Sequence, residues 1–468
     1  MTATTAKDAV RSTGIVLLVV PPLLAVLLLL NPSPAALVVL LLFLLLLPLL
    51  LLNDAWALFL LLLLRPAIDV FGEHTLVMVR QVPFNLASIF SIIVIVWGIL
   101  RLFHYRSALW RRPLFWPWIL VLLAALPGFA ATTSLTATLR EYARLLSIAV
   151  LYLVAFDILR SPGRLRRFVA VFFASLLVPA AVAIVQFFTQ TGLTVGDIAN
   201  RLFGTFGHPN VFAFYLVLSA AVLIAFLPQF SRTWRRWGVL GLLLLLGFLA
   251  ATYTRGAWIG AGIVLALFGA VYYRKAFLWI VAVTLVIAFL GPMLNRFTVS
   301  TVNLDLRHVP VLSRVLNQNA ENNSLDWRTE LWKEMWPKVA ERPIVGYGLG
   351  MFPILREQQI SHYDEGTEAH NDYLRLAVES GFLGLAAYAF LLLALLRQAV
   401  LQLRRAVTTE QRRVALGVLA LGLSFAFMSF FDNMLQATAV MWALWATIAA
   451  MLSFGRESST VSGALGET

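Results

Sequence analysis

Residues 168–188 read FVAVFFASLLVPAAVAIVQFF, an uncharged apolar run that follows directly on Arg164, Arg166 and Arg167. Its length matches the roughly 20 residues with which a helix crosses a bilayer. It lacks the period-2 alternation of a half-buried strand, and in lipid the backbone must be bonded within its own segment, so the run reads as a transmembrane helix. The arginines before it mark its cytoplasmic end. The same reading repeats along the chain, with candidate spans at 14–31, 35–64, 86–100, 115–131, 145–159, 168–188, 209–228, 237–252, 256–273, 277–293, 374–396, 413–431 and 434–454. The expected fold class is all-α, a polytopic membrane helical bundle of about 12 to 14 helices.

Composition agrees. Of the 468 residues 60% are hydrophobic and 13% charged, against about 45–50% and about 25% in soluble domains. The absence of cysteine removes disulfides and thiolate metal sites. A net charge of +13 would suit nucleic acid, but the arginines lie mostly in short loops between spans, where cytoplasmic topology places them. Residues 14–30 lack a small-residue cleavage site and read as a retained first span rather than a signal peptide.

Basic clusters at Arg101–Arg112, Arg160–Arg167, Arg232–Arg236, Arg274-Lys275 and Arg404–Arg413 set the cytoplasmic side. Counting crossings from them puts 132–144, 189–208, 253–255, 294–373 and 432–433 together on the opposite side. At the amino end, parity requires 35–64 to form two short crossings with Asn53-Asp54 as their turn. The expected organisation is spans and short loops over 1–293, a large outer loop over 294–373, carboxy-terminal spans over 374–454, and a disordered cytoplasmic tail over 455–468.

The interval 294–373 is the one long extramembrane segment. Leu331, Trp332, Met335, Trp336 and Val339 recur at helical spacing between Asp326, a capping residue, and Arg342-Pro343, which predicts a helix ending near Glu341. Its Trp-rich stripe is expected on the bilayer surface or on neighbouring helices. Gly346, Gly348 and Gly350 lack the strand and helix context of a nucleotide loop and read as a flexible turn. No phosphate-loop pattern and no His-Glu-x-x-His zinc pattern occurs.

Three outer positions hold polar groups at the membrane edge: Arg201 ahead of the Gly204–Asn210 run, Arg255 in a tight turn between two apolar helices, and His370-Asn371-Asp372 at the head of a span. An arginine at lipid depth costs about 2.5–3.5 kcal/mol at a helix centre and less near the interface, so it generally has a partner or a task. The guanidinium fork fits phosphate oxygens in a bidentate way, which makes a lipid-linked phosphate or diphosphate the natural ligand of Arg255. The alternative is a bond to helix-end carbonyls or to Asp432. For Arg201 the alternative is snorkelling to headgroups. His370 can accept a proton as a general base, oriented by Asn371 or Asp372. His208-Pro209-Asn210 also fits a helix start, with proline in the first turn. Glu368, Asp364 and Glu365 are alternative carboxylate bases.

The order Arg328, Trp332, Pro343, Gly346-x-Gly348-x-Gly350, His370-Asn371-x-x-Leu374 and Glu379-Ser380-Gly381-x-x-Gly384 resembles the O-antigen ligase and polymerase superfamily. Thr254-Arg255-Gly256-Ala257 is similar to that family's Ser/Thr-Arg-Gly turn, and Arg201 with Gly204–Asn210 to its earlier periplasmic arginine segment. The resemblance covers about residues 200–390 closely. It implies a GT-C-like glycosyltransferase of the bacterial inner membrane, working on the periplasmic side without metal or other cofactor. Its donor would be an undecaprenyl-diphosphate-linked glycan and its acceptor a hydroxyl of a glycan or glycolipid such as lipid A-core, with inversion at the anomeric carbon. On this reading His370, Arg255 and Arg201 are catalytic, and Arg201, Arg255, Asn371, His208 and Asn210 bind substrate. Arg328 is expected to be structural, and Asp432 to be a partner group. A polysaccharide polymerase or a protein O-oligosaccharyltransferase would share these features. A lipid-linked sugar transporter would need midplane charges and inverted repeats that the sequence does not show.

Overall fold

The computed structural model describes residues 53–72, 75–79, 82–105, 109–195, 198–275, 277–279, 282, 326–359 and 368–464. Among them Gly163–Thr189, Pro209–Gln229, Arg232–Ala251, Arg255–Tyr272, Asp372–Arg405 and Thr409–Phe431 are long and apolar enough to cross a membrane. Shorter apolar helices occupy Ala87–Phe103, Phe115–Ala131 and Thr438–Phe454. The chain is an all-α polytopic membrane protein. The expected spans 14–31 and 277–293 lie wholly or mostly outside the described residues.

The helix Pro209–Phe226 is the axis of the bundle. Every residue in it except Val211 is buried, because Arg232–Ala251, Arg255–Tyr272, Thr409–Phe431 and Thr438–Ala464 all pack on it. In lipid no hydrophobic force draws one apolar helix to another, so close packing through small residues has to hold the contact. Gly260 supplies one such contact: a Cβ there would lie 2.8 Å from Met428 Sδ and from Ser424 Oγ.

Three departures from expectation are seen. The helix expected at 145–159 begins ten residues earlier and runs over Leu135–Ile158, its added turns including Glu141, which pairs with Arg144 at 2.6 Å and with Arg375 of the helix Asp372–Arg405 at 3.4 Å. At the expected turn Asn53-Asp54 a helix begins, Asp54–Ala67, with the Asn53 side chain accepting from Trp56 N; residues 35–52, the other expected crossing, lie outside the described residues. Thr75–Val79 pairs antiparallel with Val82–Asn85, and Leu193–Val195 with Ile198–Arg201. Most of the expected disordered tail continues the last helix to Ala464, since no proline interrupts it.

The long helix Asp372–Arg405 is broken at Gly381, where φ is 62° and ψ is −167°, a conformation essentially confined to glycine. The break frees backbone groups that would otherwise bond within the helix, and the Gly-rich turn takes them. Phe382 N donates to Pro343 O at 2.7 Å and Leu383 N to Ile344 O, while Tyr347 N donates to Val378 O and Gly348 N to Glu379 O at 2.8 Å. The turn expected to be flexible is therefore clamped onto the broken helix by four backbone bonds. A Cβ on Gly346 would meet the Glu379 backbone at 2.5 Å, and one on Gly381 the Ile344 carbonyl at 2.3 Å. Gly381→Ala should destabilise the fold by at least about 2 kcal/mol, adding backbone strain to overpacking. Gly262→Ala, in a helix with nothing within 4 Å of the new methyl, should not. Thermal midpoints in detergent check this, and equal midpoints would refute it.

The clamp fixes the outer helix Asp326–Glu341, whose expected span is as observed. Leu331, Met335 and Val339 pack with Met351, Phe352 and Val378, so this side of the stripe faces protein. Trp336 remains exposed.

Candidate active site

The first residues or preceding turns of three helices meet at one end of the bundle: Pro209–Phe226, Arg255–Tyr272 and the broken helix. The end of Thr409–Phe431 joins them through Asp432. Each brings polar groups for a local reason. His208 is the N-cap before Pro209, and its Nδ1 accepts from Asn210 N at 3.1 Å. Asn371 caps the broken helix, its Oδ1 accepting from Tyr373 N at 2.9 Å and Leu374 N at 3.0 Å. Asp432 ends Thr409–Phe431 in extended backbone.

Asp432 is the hub. Its Oδ1 lies 3.2 Å from His370 Nδ1 and accepts from Asn433 N at 2.8 Å. Its Oδ2 accepts from the Asn210 side chain. Asn210 Oδ1 in turn accepts from Arg201 Nη2 at 2.8 Å and from Thr254 Oγ at 3.1 Å. One unbroken chain of hydrogen bonds therefore runs from His370 through Asp432 and Asn210 to Arg201 and to the residue before Arg255. Arg255 reaches the same place from the other side: a Cβ on the adjoining Gly256 would lie 3.4 Å from Phe431 Cβ, and the Arg255 charge acts on Arg328.

Electrostatics fix the proton positions. Burial acts to raise the Asp432 carboxyl, but the His370 hydrogen bond and charge, with Arg328, outweigh it and hold the carboxyl well below the ordinary carboxylate range. An anionic carboxylate against Nδ1 accepts that nitrogen's proton as a hydrogen bond, which leaves Nε2 as the ring nitrogen that Asp432 does not engage. Burial pushes His208 down to about 4 against the pull of Asp432, with Arg201 adding to the fall. His208 is thus neutral, and with Nδ1 accepting, its Nε2 carries the proton.

His370 is held as a strained residue, with φ at 47°. Four consecutive residues are each gripped. Glu368 accepts from Asn433 Nδ2 at 2.8 Å, the Ala369 carbonyl accepts from Trp332 Nε1 at 3.0 Å, His370 meets Asp432, and Asn371 N donates to Asn433 Oδ1 at 3.3 Å. The Trp327 ring stands edge-on to His370 with centroids 5.3 Å apart. Burial raises the Glu368 carboxyl.

The sequence-derived site residues thus fall into distinct positions. Arg201, His208, Asn210, Arg255 and His370 converge, while Asn371 adjoins them as a helix cap. Of the two residues expected to orient His370, Asn371 is a helix cap and Asp372 accepts from Leu435 N at 3.2 Å; Asp432 faces the imidazole instead. Arg201 is 5% exposed and donates to Thr252 O at 2.8 Å and Thr254 Oγ at 3.2 Å as well as to Asn210. It is the fastener of the 252–255 turn. Arg328, expected to serve the loop fold, donates to Phe431 O at 3.0 Å, beside Asp432. Asn433 was not singled out from sequence, although a polar pair between two apolar spans at the outer level was the available signal. Asp364 and Glu365 lie outside the described residues. Among the described residues no cluster of three His, Asp or Glu side chains suits a metal ion.

Residues 240–389 match the family model described as O-antigen ligase. The match spans the Arg255 turn, the outer helix, the Gly-rich clamp and His370, while Arg201, Asn210 and Asp432 join the site from outside it. No curated protein matches the chain.

Proposed function

We propose that this membrane protein of the O-antigen ligase superfamily transfers a glycan from undecaprenyl diphosphate to an acceptor hydroxyl, on the periplasmic face of a bacterial inner membrane. The observation that carries the proposal is the convergence of a carboxylate-bound imidazole, His370 on Asp432, with the Arg255 turn. Such a site joins a base to a cation suited to phosphate oxygens.

In the proposed reaction His370 Nε2 takes the proton of the acceptor hydroxyl as its oxygen attacks the anomeric carbon from the face opposite the diphosphate. The C–O bond to the diphosphate breaks, its electron pair leaves on the phosphate oxygen, and the configuration inverts. Arg255 stabilises the growing negative charge, an interaction stronger in the transition state than in the ground state. Arg201 fixes the turn that aims Arg255 and adds to the positive field. Asn210 holds Asp432, and neutral His208 offers an Nε2–H donor to a substrate oxygen. Apolar helix faces exposed to lipid, as on Arg232–Ala251 with Leu240, Leu243 and Leu244, suit a polyprenyl chain.

We assign a ligase-like acceptor; a second lipid-linked glycan would make the enzyme a polymerase. Purified protein supplied with lipid-linked glycan and either lipid A-core or a second lipid-linked repeat separates the two by product. Glycan transfer to neither overturns the proposal. In the same assay Arg255→Ala should raise donor KM by about tenfold or more, since charge-assisted hydrogen bonds are worth about 1.5–3 kcal/mol, while Arg255→Lys keeps the charge and loses the fork. Equal behaviour of wild type and both variants would contradict the assignment.

A further inference from the structure

We propose that Arg328, on the outer helix, is a second diphosphate ligand, forming with Arg255 an arginine pair that clasps the two phosphoryl groups of the donor. The inference rests on the lipid-diphosphate reading above and adds to it a residue and a phosphate count.

Arg328 has more donors than the protein uses. Its Nη1 donates to Phe431 O, while its Nε is buried without a hydrogen-bond partner among the described residues. A guanidinium carries five N–H donors, and a buried polar group left unbonded is costly unless something else satisfies it. The cation also stands 5.5 Å from the Trp327 ring centroid, which leaves its charge intact and fixes the plane of the group.

The charge balance points the same way. Asp432 is the carboxylate that acts on Arg328, and Arg255 is a like charge acting on it from the opposing turn. Among the described residues, the elements that carry Arg255 and Arg328 meet at Phe431-Asp432, and the carboxylate there is already bonded to His370, Asn433 and Asn210. Like charges held together with part of their hydration removed repel unless an anion intervenes. A diphosphate supplies two phosphoryl groups for two forks. On sugar departure it gains a further negative charge, so the pair would grip the leaving group harder than the donor. The outer helix would then take part in binding rather than only support the loop.

The test uses full-length protein in detergent with three probes sharing one chain: farnesyl diphosphate, farnesyl monophosphate and farnesol. Inorganic pyrophosphate distinguishes headgroup recognition from lipid recognition. Wild type should bind farnesyl diphosphate about tenfold or more tighter than the monophosphate. Arg328→Gln should lose that preference while its farnesol affinity stays at the wild-type value, and Arg328→Lys should retain part of it. Wild-type affinity of Arg328→Gln for the diphosphate overturns the proposal, as does an equal loss for diphosphate and farnesol, which marks a structural residue. If Arg328→Gln is not recovered folded, Arg328→Lys decides, because unchanged diphosphate affinity there also overturns the inference. Arg255→Gln separates the two levels. If Arg255→Gln weakens diphosphate binding and Arg328→Gln does not, the second-ligand inference alone fails. If wild type binds farnesyl diphosphate no better than farnesol, the donor reading itself fails.

Discussion

His370→Ala should lower glycan transfer by about 10²- to 10⁴-fold, the range a positioned general base contributes, while donor affinity stays within a factor of about two. The split follows from the geometry. His370 Nδ1 is bound to Asp432, so its Nε2 is the atom offered to an acceptor, and the cations that would hold the donor belong to other helices. Single-turnover transfer with pre-bound lipid-linked glycan reads the chemical step, and equilibrium binding of the donor reads the rest. Unchanged turnover would remove His370 from the mechanism. A parallel loss of donor binding would recast it as a donor ligand.

Asp432→Asn should cost about as much, on the order of the 10⁴ seen when an amide replaces the carboxylate that orients a catalytic histidine. The shape is nearly conserved, but an amide can donate its own N–H to Nδ1. The imidazole proton then moves to Nε2, and the base faces the acceptor already protonated. The same substitution has a signature in stability. The folded carboxyl lies below its ordinary value, so its contribution is complete above the ordinary carboxylate range and is lost as pH falls through the depressed folded value. The stability gap between wild type and Asp432→Asn should therefore be full at neutral pH and narrow once pH drops below about 4. A gap that is constant with pH would show that the carboxylate's charge is not what holds the site.

Much of this architecture was legible in the chain. Uncharged runs such as 168–188 and 209–228 admit one structure in lipid, and the alternation of basic loops puts residues 201, 255, 370 and 432 at one level. The outer helix was equally visible, since its apolar spacing stops at Arg342-Pro343. What sequence did not show was lateral arrangement. Asp432 and His370 are 62 positions apart, and nothing local says which of several helix ends will face the imidazole, whereas neighbouring Asp372 is the obvious and mistaken partner. The break at Gly381 was hidden for a related reason. Glycine is common in membrane helices, and only the approach of Ile344 to within 2.3 Å of the missing side chain shows that this one is obligatory. The bonds of Arg201 to Thr252 O, Thr254 Oγ and Asn210, and of Arg328 to Phe431 O, were hidden for the same reason, because the acceptors around a guanidinium are a property of packing.

The most direct test of the central claim is an experimental structure of the protein with a short polyprenyl diphosphate bound. The account predicts the diphosphate within hydrogen-bonding distance of Arg255, beside the Asp432-bound His370, with His370 Nε2 turned toward the position of the anomeric carbon. A diphosphate seated elsewhere on the protein, or on this face with His370 turned away from it, would contradict the account.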